Sequence, residues 1–393
     1  MLLRLLKSIL RPRAPAAAGA EAQRAALQAE TRGIRPPAGV KNPELYSRLA
    51  SLASGRSVQV PGVQRDSAPS RGEAGGDAEG LAPDYDPVRE MITHAAGLRR
   101  EQLAPALEAR VNAHAEAFSA VARPARGINV FVYHVDMPQD VVLNYVDVKL
   151  HPGHFDYLDI LRRFVERIRR HCPGAMVYLA TAGGARHGAL AADDVAVAEL
   201  ELDATRPMYE RATALLGYLR SAAFARDTVF LDADALVNRP LDDVFELGFD
   251  VGLTYRELVR LMPVNEGVIF LCARRPERVR RFFETRLATY DALAVDARIT
   301  GFYGDIKRWR GGQLSLNALA QDLRPYSPYR LDETAGARLR FLPCDTFNFA
   351  GGEGEAASAS ERLDERFVVH FKGMRKYAFV YAAEAERAAR RDA

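Results

Sequence analysis

Asp232 and Asp234 are the residues whose type and spacing most plainly promise chemistry. They close the apolar run Thr228-Val229-Phe230-Leu231, which reads as a buried strand. In an extended chain, side chains two positions apart point the same way, so both carboxylates leave the strand end together. Two hard oxygen donors at one point suit Mg²⁺ or Mn²⁺, which also take phosphate oxygens and water. Such a site can hold a nucleoside diphosphate and offset the charge that grows on it as it leaves. The plainer alternative is a polar strand end or a helix cap, where Asp is common. A bare Asp-x-Asp is a weak motif, and the strand in front of it supplies the context it needs. Asp136, just past the apolar run INVFVYHV, reads either as a contact to a base or ribose or as a turn residue ahead of Pro138.

The elements around the acidic pair set its position. From Ile128 onward, strand-like and helix-like patterns alternate. FDYLDILRRFVERIRRHC places Leu158, Leu161, Phe164, Val165 and Ile168 on one helical side, and Pro173-Gly174 ends it. AMVYLAT is a buried strand closed by Gly183-Gly184, and the helix PMYERATALLGYLRSAAF leads into DTVFLDAD, read as the third strand. This alternation predicts an α/β fold with a mostly parallel central sheet and helices on its faces. Ligands of such sheets sit beyond the C-terminal strand ends, where Asp232 and Asp234 fall.

The chain ahead of this region reads differently. Residues 1–85 form an N-terminal extension. In MLLRLLKSILRPR, Leu2, Leu5, Leu6 and Ile9 share one helical face, with Arg4, Lys7 and Arg11 beside it. This short basic amphipathic segment, residues 1–13, either lies on an anionic membrane surface, which predicts peripheral contact with the inner membrane, or packs on the protein or frays. The charges make it a poor signal peptide. Stretches such as RPRAPAAAGAEAQ and DSAPSRGEAGGDAEG follow, too poor in large apolar residues to offset their ordering entropy. Residues 86–125 read as helical padding, with Pro105 tolerable only in the first turn of its helix. The folded domain is expected over 126–385.

Composition narrows the function classes. In 393 residues, 54 Lys+Arg against 51 Asp+Glu leave a net charge of +3, too balanced for a protein held on nucleic acid by a basic surface. No run of 18 apolar residues marks a transmembrane helix. The three cysteines match neither a disulfide framework nor a zinc spacing, and read as reduced thiols in a cytoplasmic protein.

Longer strings carry a resemblance. VFLDADALVNRPLDDVFEL resembles the metal-binding segment of the GT-A glycosyltransferases, above all the family of glycogenin and the bacterial lipooligosaccharide galactosyltransferases. Leu231, Asp232, Asp234, Leu236, Leu241 and Phe245 keep that family's register. VNEGVIFL resembles its next strand, WRGGQLSLNAL its Asp-Gln helix, and VVHFKGMRK its closing His-x-x-Gly-x-x-Lys, all in the family's order.

The resemblance implies a GT-A, Rossmann-like fold and transfer of a sugar from a nucleoside-diphosphate sugar, UDP in the family, to a hydroxyl of a glycan or glycolipid. It makes His370 the third metal ligand beside Asp232 and Asp234, and a neutral imidazole with two carboxylates fits Mn²⁺ better than Mg²⁺. It places Asn265 and Gly267 toward the donor sugar, and Gly373 and Lys376 on the diphosphate. Gln313 would sit near the anomeric carbon, with Asn317 at a matching position. Arg211 falls where related enzymes often carry a basic residue near the nucleotide; a solvated helix face is the other reading. The family retains anomeric configuration. With the high alanine and arginine content, the resemblance points to bacterial surface polysaccharide synthesis.

The match has departures. Gly312 stands where the family has an Asp that helps bind the donor sugar, and Tyr377 replaces a Pro. Asp305 could supply a substitute carboxylate, and in an inverting reaction Glu266 or Asp305 would serve as base. Two other readings stay open. FLDADALV also looks like the opening motif of a haloacid dehalogenase-type phosphatase, although that motif normally lies on the first strand. A non-catalytic GT-A-like binding module is the other.

Overall fold

The computed structural model of the chain describes residues 87–136, 157–184, 186–256, 262–350 and 366–370. The N-terminal amphipathic segment and low-complexity stretch, and Gly373, Lys376 and Tyr377, lie outside these residues.

The strand-like runs assemble into one eight-stranded sheet. Its members are β1 (Asn129–Tyr133), β2 (Met176–Ala182), β3 (Val195–Leu200), β4 (Thr228–Asp232), β6 (Val251–Tyr255), β7 (Val264–Leu271), β8 (Asp332–Thr334) and β9 (Ala337–Pro343). The spatial order is β3-β2-β1-β4-β7-β6-β9-β8. Strands β3, β2, β1 and β4 run parallel, as do β6 and β9. β7 lies antiparallel to both β4 and β6, and β8 antiparallel to β9. The result is the mixed, mostly parallel sheet flanked by helices that the alternating pattern predicts. The acidic strand is fourth in the chain, not third. The intervening β3, VAVAEL, alternates its valines with Ala196 and Ala198, so its apolar signal is faint.

Strand alternation divides the core into two layers. Phe131, Tyr133, Tyr178, Phe230, Leu253 and Ile269 face one side, in a cluster with residues of α1 (Pro87–Gly97), α2 (Pro105–Ala120), α4 (Pro207–Arg220), α5 (Pro276–Val295), α6 (Ala297–Tyr303) and α7 (Gly311–Ala320). Val130, Val132, Val177, Leu179, Val229, Leu231 and Phe270 face the other, with α3 (Tyr157–His171). On α3 the five predicted apolar residues are buried, while Arg162, Glu166 and Arg169 are exposed. Pro105 takes the first turn of α2, where its missing N–H costs nothing. Helices α1 and α2 contribute Ile92, Ala95, Leu107, Val111 and Phe118 to the first layer, so the padding segment shares the main core.

A separate two-stranded ribbon pairs β5 (Ala235–Val237) antiparallel with β10 (Val368–His370). Cys172, Cys272 and Cys344 are buried thiols. Among the described residues, no helix is long and apolar enough to cross a membrane.

Candidate active site

The ribbon brings the chain's two distant acidic and imidazole segments together. β4 delivers Asp232 at its C-terminal end, the chain turns through Ala233-Asp234, and β5 leaves from Ala235. In the β5–β10 register His370 stands opposite Ala235, one residue from Asp234. Its Nε2 lies 3.1 Å from Oδ1 of Asp234 and 3.4 Å from Oδ2 of Asp232. One donor atom from each of the three residues falls within a 4.8 Å cluster that could hold a metal ion.

Asn348 orients the imidazole. It follows α8 (Cys344–Phe347), and its Oδ1 is 3.0 Å from His370 Nδ1. The Asn348 amide nitrogen donates to Asn265 Oδ1 at 2.8 Å and Thr254 Oγ1 at 3.1 Å. Its oxygen is therefore the acceptor, and Nδ1–H of His370 donates to it. This leaves the Nε2 lone pair facing two carboxylates, an arrangement that needs a proton or a cation between them. A histidine whose far nitrogen is held by an oriented partner is the usual form of a metal ligand. Gly267 leaves the space for this meeting. A Cβ there would lie 2.5 Å from His370 Cε1 and 2.9 Å from Asp232 Oδ2.

A chain of charges continues into the core. Arg211, on α4, donates to Asp232 Oδ1 at 2.6 Å with one nitrogen, and its other terminal nitrogen pairs with Glu266. Arg286, on α5, closes on the second Glu266 oxygen and donates to the Gly312 carbonyl at 3.1 Å. Burial opposes ionisation of Glu266, but the two guanidinium groups outweigh it and hold its carboxyl below the usual range. Burial likewise opposes charge on Arg211, and Glu266 and Asp232 prevail, so its pKa rises. Three carboxylates, of Asp232, Asp234 and Glu266, stand against two guanidinium groups, an excess of negative charge that favours a cation.

Gly312 is explained by this chain. A Cβ at Gly312 would meet both Glu266 carboxylate oxygens and lie 2.7 Å from Glu266 Cδ. The carboxylate filling the space beside Gly312 is thus Glu266 of β7, not Asp305. Asp305 is exposed, and its Oδ1 accepts from the Lys307 backbone N–H at 3.0 Å within its own turn. Glu266, clasped between two arginines, is also poorly disposed to act as a base.

The other predicted residues fall as follows. Asn265 is buried, and its Oδ1 accepts from Asn348 and from the Gly267 N–H at 2.9 Å, so that oxygen supports the His370 network. Gln313, in the first turn of α7, donates to the Met262 carbonyl at 2.9 Å. Asn317 bonds both the N–H and the carbonyl of Val264, at 3.0 and 2.8 Å, and fixes α7 to β7. Arg211 is nearly buried on Asp232, which removes the solvated-face reading. Asp136 is exposed and groups with His134 and His187 rather than with Asp232. Asn348 and Arg286 escaped sequence reasoning; neither sits in a motif, and their roles exist only through tertiary contacts.

No family model matches the sequence, and no curated protein matches it. Solved structures do. One is a glycosyltransferase involved in the glycosylation of the major capsid of PBCV-1, 14% identical over 67% of this chain and 100% of its own, with a TM-score of 0.36. Another is the apo form of glycosyltransferase GlyE of Streptococcus pneumoniae, 13% identical over 67% of this chain and 63% of its own, TM-score 0.39. A third is galactosyltransferase LgtC in complex with donor and acceptor sugar analogs, 12% identical over 63% of this chain and 87% of its own, TM-score 0.36.

Proposed function

We propose that this protein is a metal-dependent glycosyltransferase that moves a sugar from a nucleoside-diphosphate sugar, a UDP-sugar by preference, to an acceptor hydroxyl. The observation that carries the reading is the meeting of Asp232, Asp234 and His370, contributed by segments far apart in sequence, at the C-terminal strand end where α/β ligands bind. The donor set of two carboxylates and one oriented imidazole fits Mn²⁺, with Mg²⁺ as the harder alternative. A bound divalent ion there would bind diphosphate oxygens and offset the leaving group's charge.

The chain's own residues do the rest. Asp232 is held on one oxygen by Arg211, which leaves its other oxygen turned to His370. Asn348 keeps His370 Nε2 aimed at the acidic pair. Arg211 and Arg286 keep Glu266 ionised beside Gly312, where the similar family carries a donor-binding carboxylate. Gly267 leaves the room that brings His370 beside Asp232, and Gln313 lies on the first turn of the neighbouring α7. In this reading Gly373 and Lys376 complete the diphosphate contacts. Retention is the family's outcome, and the tightly paired Glu266 agrees with a reaction that needs no strong base. A glycan or glycolipid acceptor, and a role in bacterial surface polysaccharide, belong to the same proposal.

Release of nucleoside diphosphate from a panel of nucleotide sugars tests it. The expected result is Mn²⁺-dependent release from one donor, abolished in Asp234→Asn. Release of inorganic phosphate from phosphomonoesters, with no nucleotide-sugar turnover, would favour the phosphatase reading. Mn²⁺-dependent binding of the diphosphate without turnover of any donor would favour the binding module.

A further inference from the structure

A second group of metal-type ligands lies beyond the C-terminal ends of the neighbouring strands β1 and β2, on the opposite face of the sheet. His134 follows β1, and its N–H continues the ladder by donating to the Ala180 carbonyl of β2 at 3.0 Å. Alternation from Val130 and Val132 puts its side chain on the α3 side, away from the Tyr133 and Phe230 layer. His187 arrives from the short 3₁₀ turn Arg186–Leu190 after β2 and is wholly buried. His134 Nδ1 and His187 Nε2 stand 2.9 Å apart. The carboxylate of exposed Asp136 joins them, with one donor atom of each residue inside a 4.8 Å cluster.

Each histidine is held from behind. His187 Nδ1 lies 3.1 Å from Thr181 Oγ1, and Thr181 is itself fully buried. That contact fixes the ring and turns Nε2 toward His134, as an oriented outer partner does for a metal-bound imidazole. The His134 ring packs on Tyr157 with centroids 4.5 Å apart. Two nitrogens bound to one tetrahedral Zn²⁺ lie roughly 3.3 Å apart for bonds near 2.0–2.1 Å, so these rings need part by only about half an ångström.

We infer that His134, Asp136 and His187 form a binding site for a divalent transition ion of the Zn²⁺ type, distinct from the Asp232 cluster. Two imidazoles and one carboxylate favour Zn²⁺ or Co²⁺ over Mn²⁺ and Mg²⁺, the reverse of the oxygen-rich pair at Asp232 and Asp234. With three protein ligands and Asp136 open to solvent, the fourth position falls to water or a small anion. The ion ties the segment after β1 to the turn after β2. The inference does not rest on the glycosyltransferase reading, although it gives Asp136 a ligand role in place of a base or ribose contact.

Metal titration of the full chain tests it, after stripping with chelator and with Asp232→Asn and Asp234→Asn introduced to silence the other cluster. The expected result is one equivalent of bound Zn²⁺, a raised melting temperature, and visible d–d absorption when Co²⁺ is used. His187→Ala abolishes the binding. Asp136→Ala, at an exposed position that leaves the fold intact, weakens it about tenfold or more. Absence of stoichiometric Zn²⁺ binding in the silenced protein would overturn the inference. So would an affinity that Asp136→Ala leaves unchanged.

Discussion

Gly267 shows how little room the cation cluster allows. It lies in β7, beside the β4 end, and any side chain there would press on His370 and on the Asp232 oxygen that faces it. Gly267→Ala is therefore expected to lower Mn²⁺ affinity about tenfold or more. The melting temperature should fall as well, because the imidazole it crowds is buried and held in place by Asn348. Isothermal titration with thermal unfolding on the same samples checks this. Unchanged Mn²⁺ affinity would mean that the backbone at Gly267 does not border the site. Gly312 carries the opposite lesson. Its missing side chain leaves a space that the Glu266 carboxylate, carried on β7, occupies.

At the scale of elements, α4 is the helix on which the site leans. It is buried along most of its length and packs against α2, α5 and α7. Its first turns carry two adjacent charged residues with different duties. Arg211 reaches Asp232 and Glu266, while Glu210 is fully buried and pairs with Arg110 of α2 at 2.6 Å. Burial pushes the Glu210 carboxyl up to about 7; Arg110 opposes the rise and Asp203 adds to it. An acid raised on folding binds its proton more tightly in the native state. Its contribution is thus full below the ordinary carboxylate value of about 4.5 and is lost as pH rises through about 7. The span corresponds to roughly 3 kcal/mol. Relative to Glu210→Gln, the wild type should lose stability between those limits. Urea unfolding of both proteins at pH 5 and pH 8 measures the effect, and a difference that does not change with pH would refute it.

At the scale of the whole molecule, the site is built where strands from two parts of the chain end together. Much of this was legible beforehand. β4 and its acidic pair stood out because four apolar residues run directly into two carboxylates, and α3 because its five apolar residues share one side. β3 did not, since its alternating alanines give little contrast. The β5–β10 ribbon could not be read from periodicity, because three-residue strands have none to show. Asn348 was hidden for the same reason, since its place beside His370 follows from the ribbon and from the bridge of Phe349 to Val369. Glu266 was visible as an acid, but the pairing with Arg211 and Arg286 that fixes its state is purely tertiary. The central claim is that Asp232, Asp234 and His370 share one divalent ion that binds the diphosphate of a donor. Mn²⁺ titration followed by electron paramagnetic resonance, with and without UDP, tests it most directly. Mn²⁺ should bind more tightly when UDP is present, with that gain lost in Asp234→Asn and in His370→Ala. Mn²⁺ binding that is indifferent to UDP and to both substitutions would contradict it.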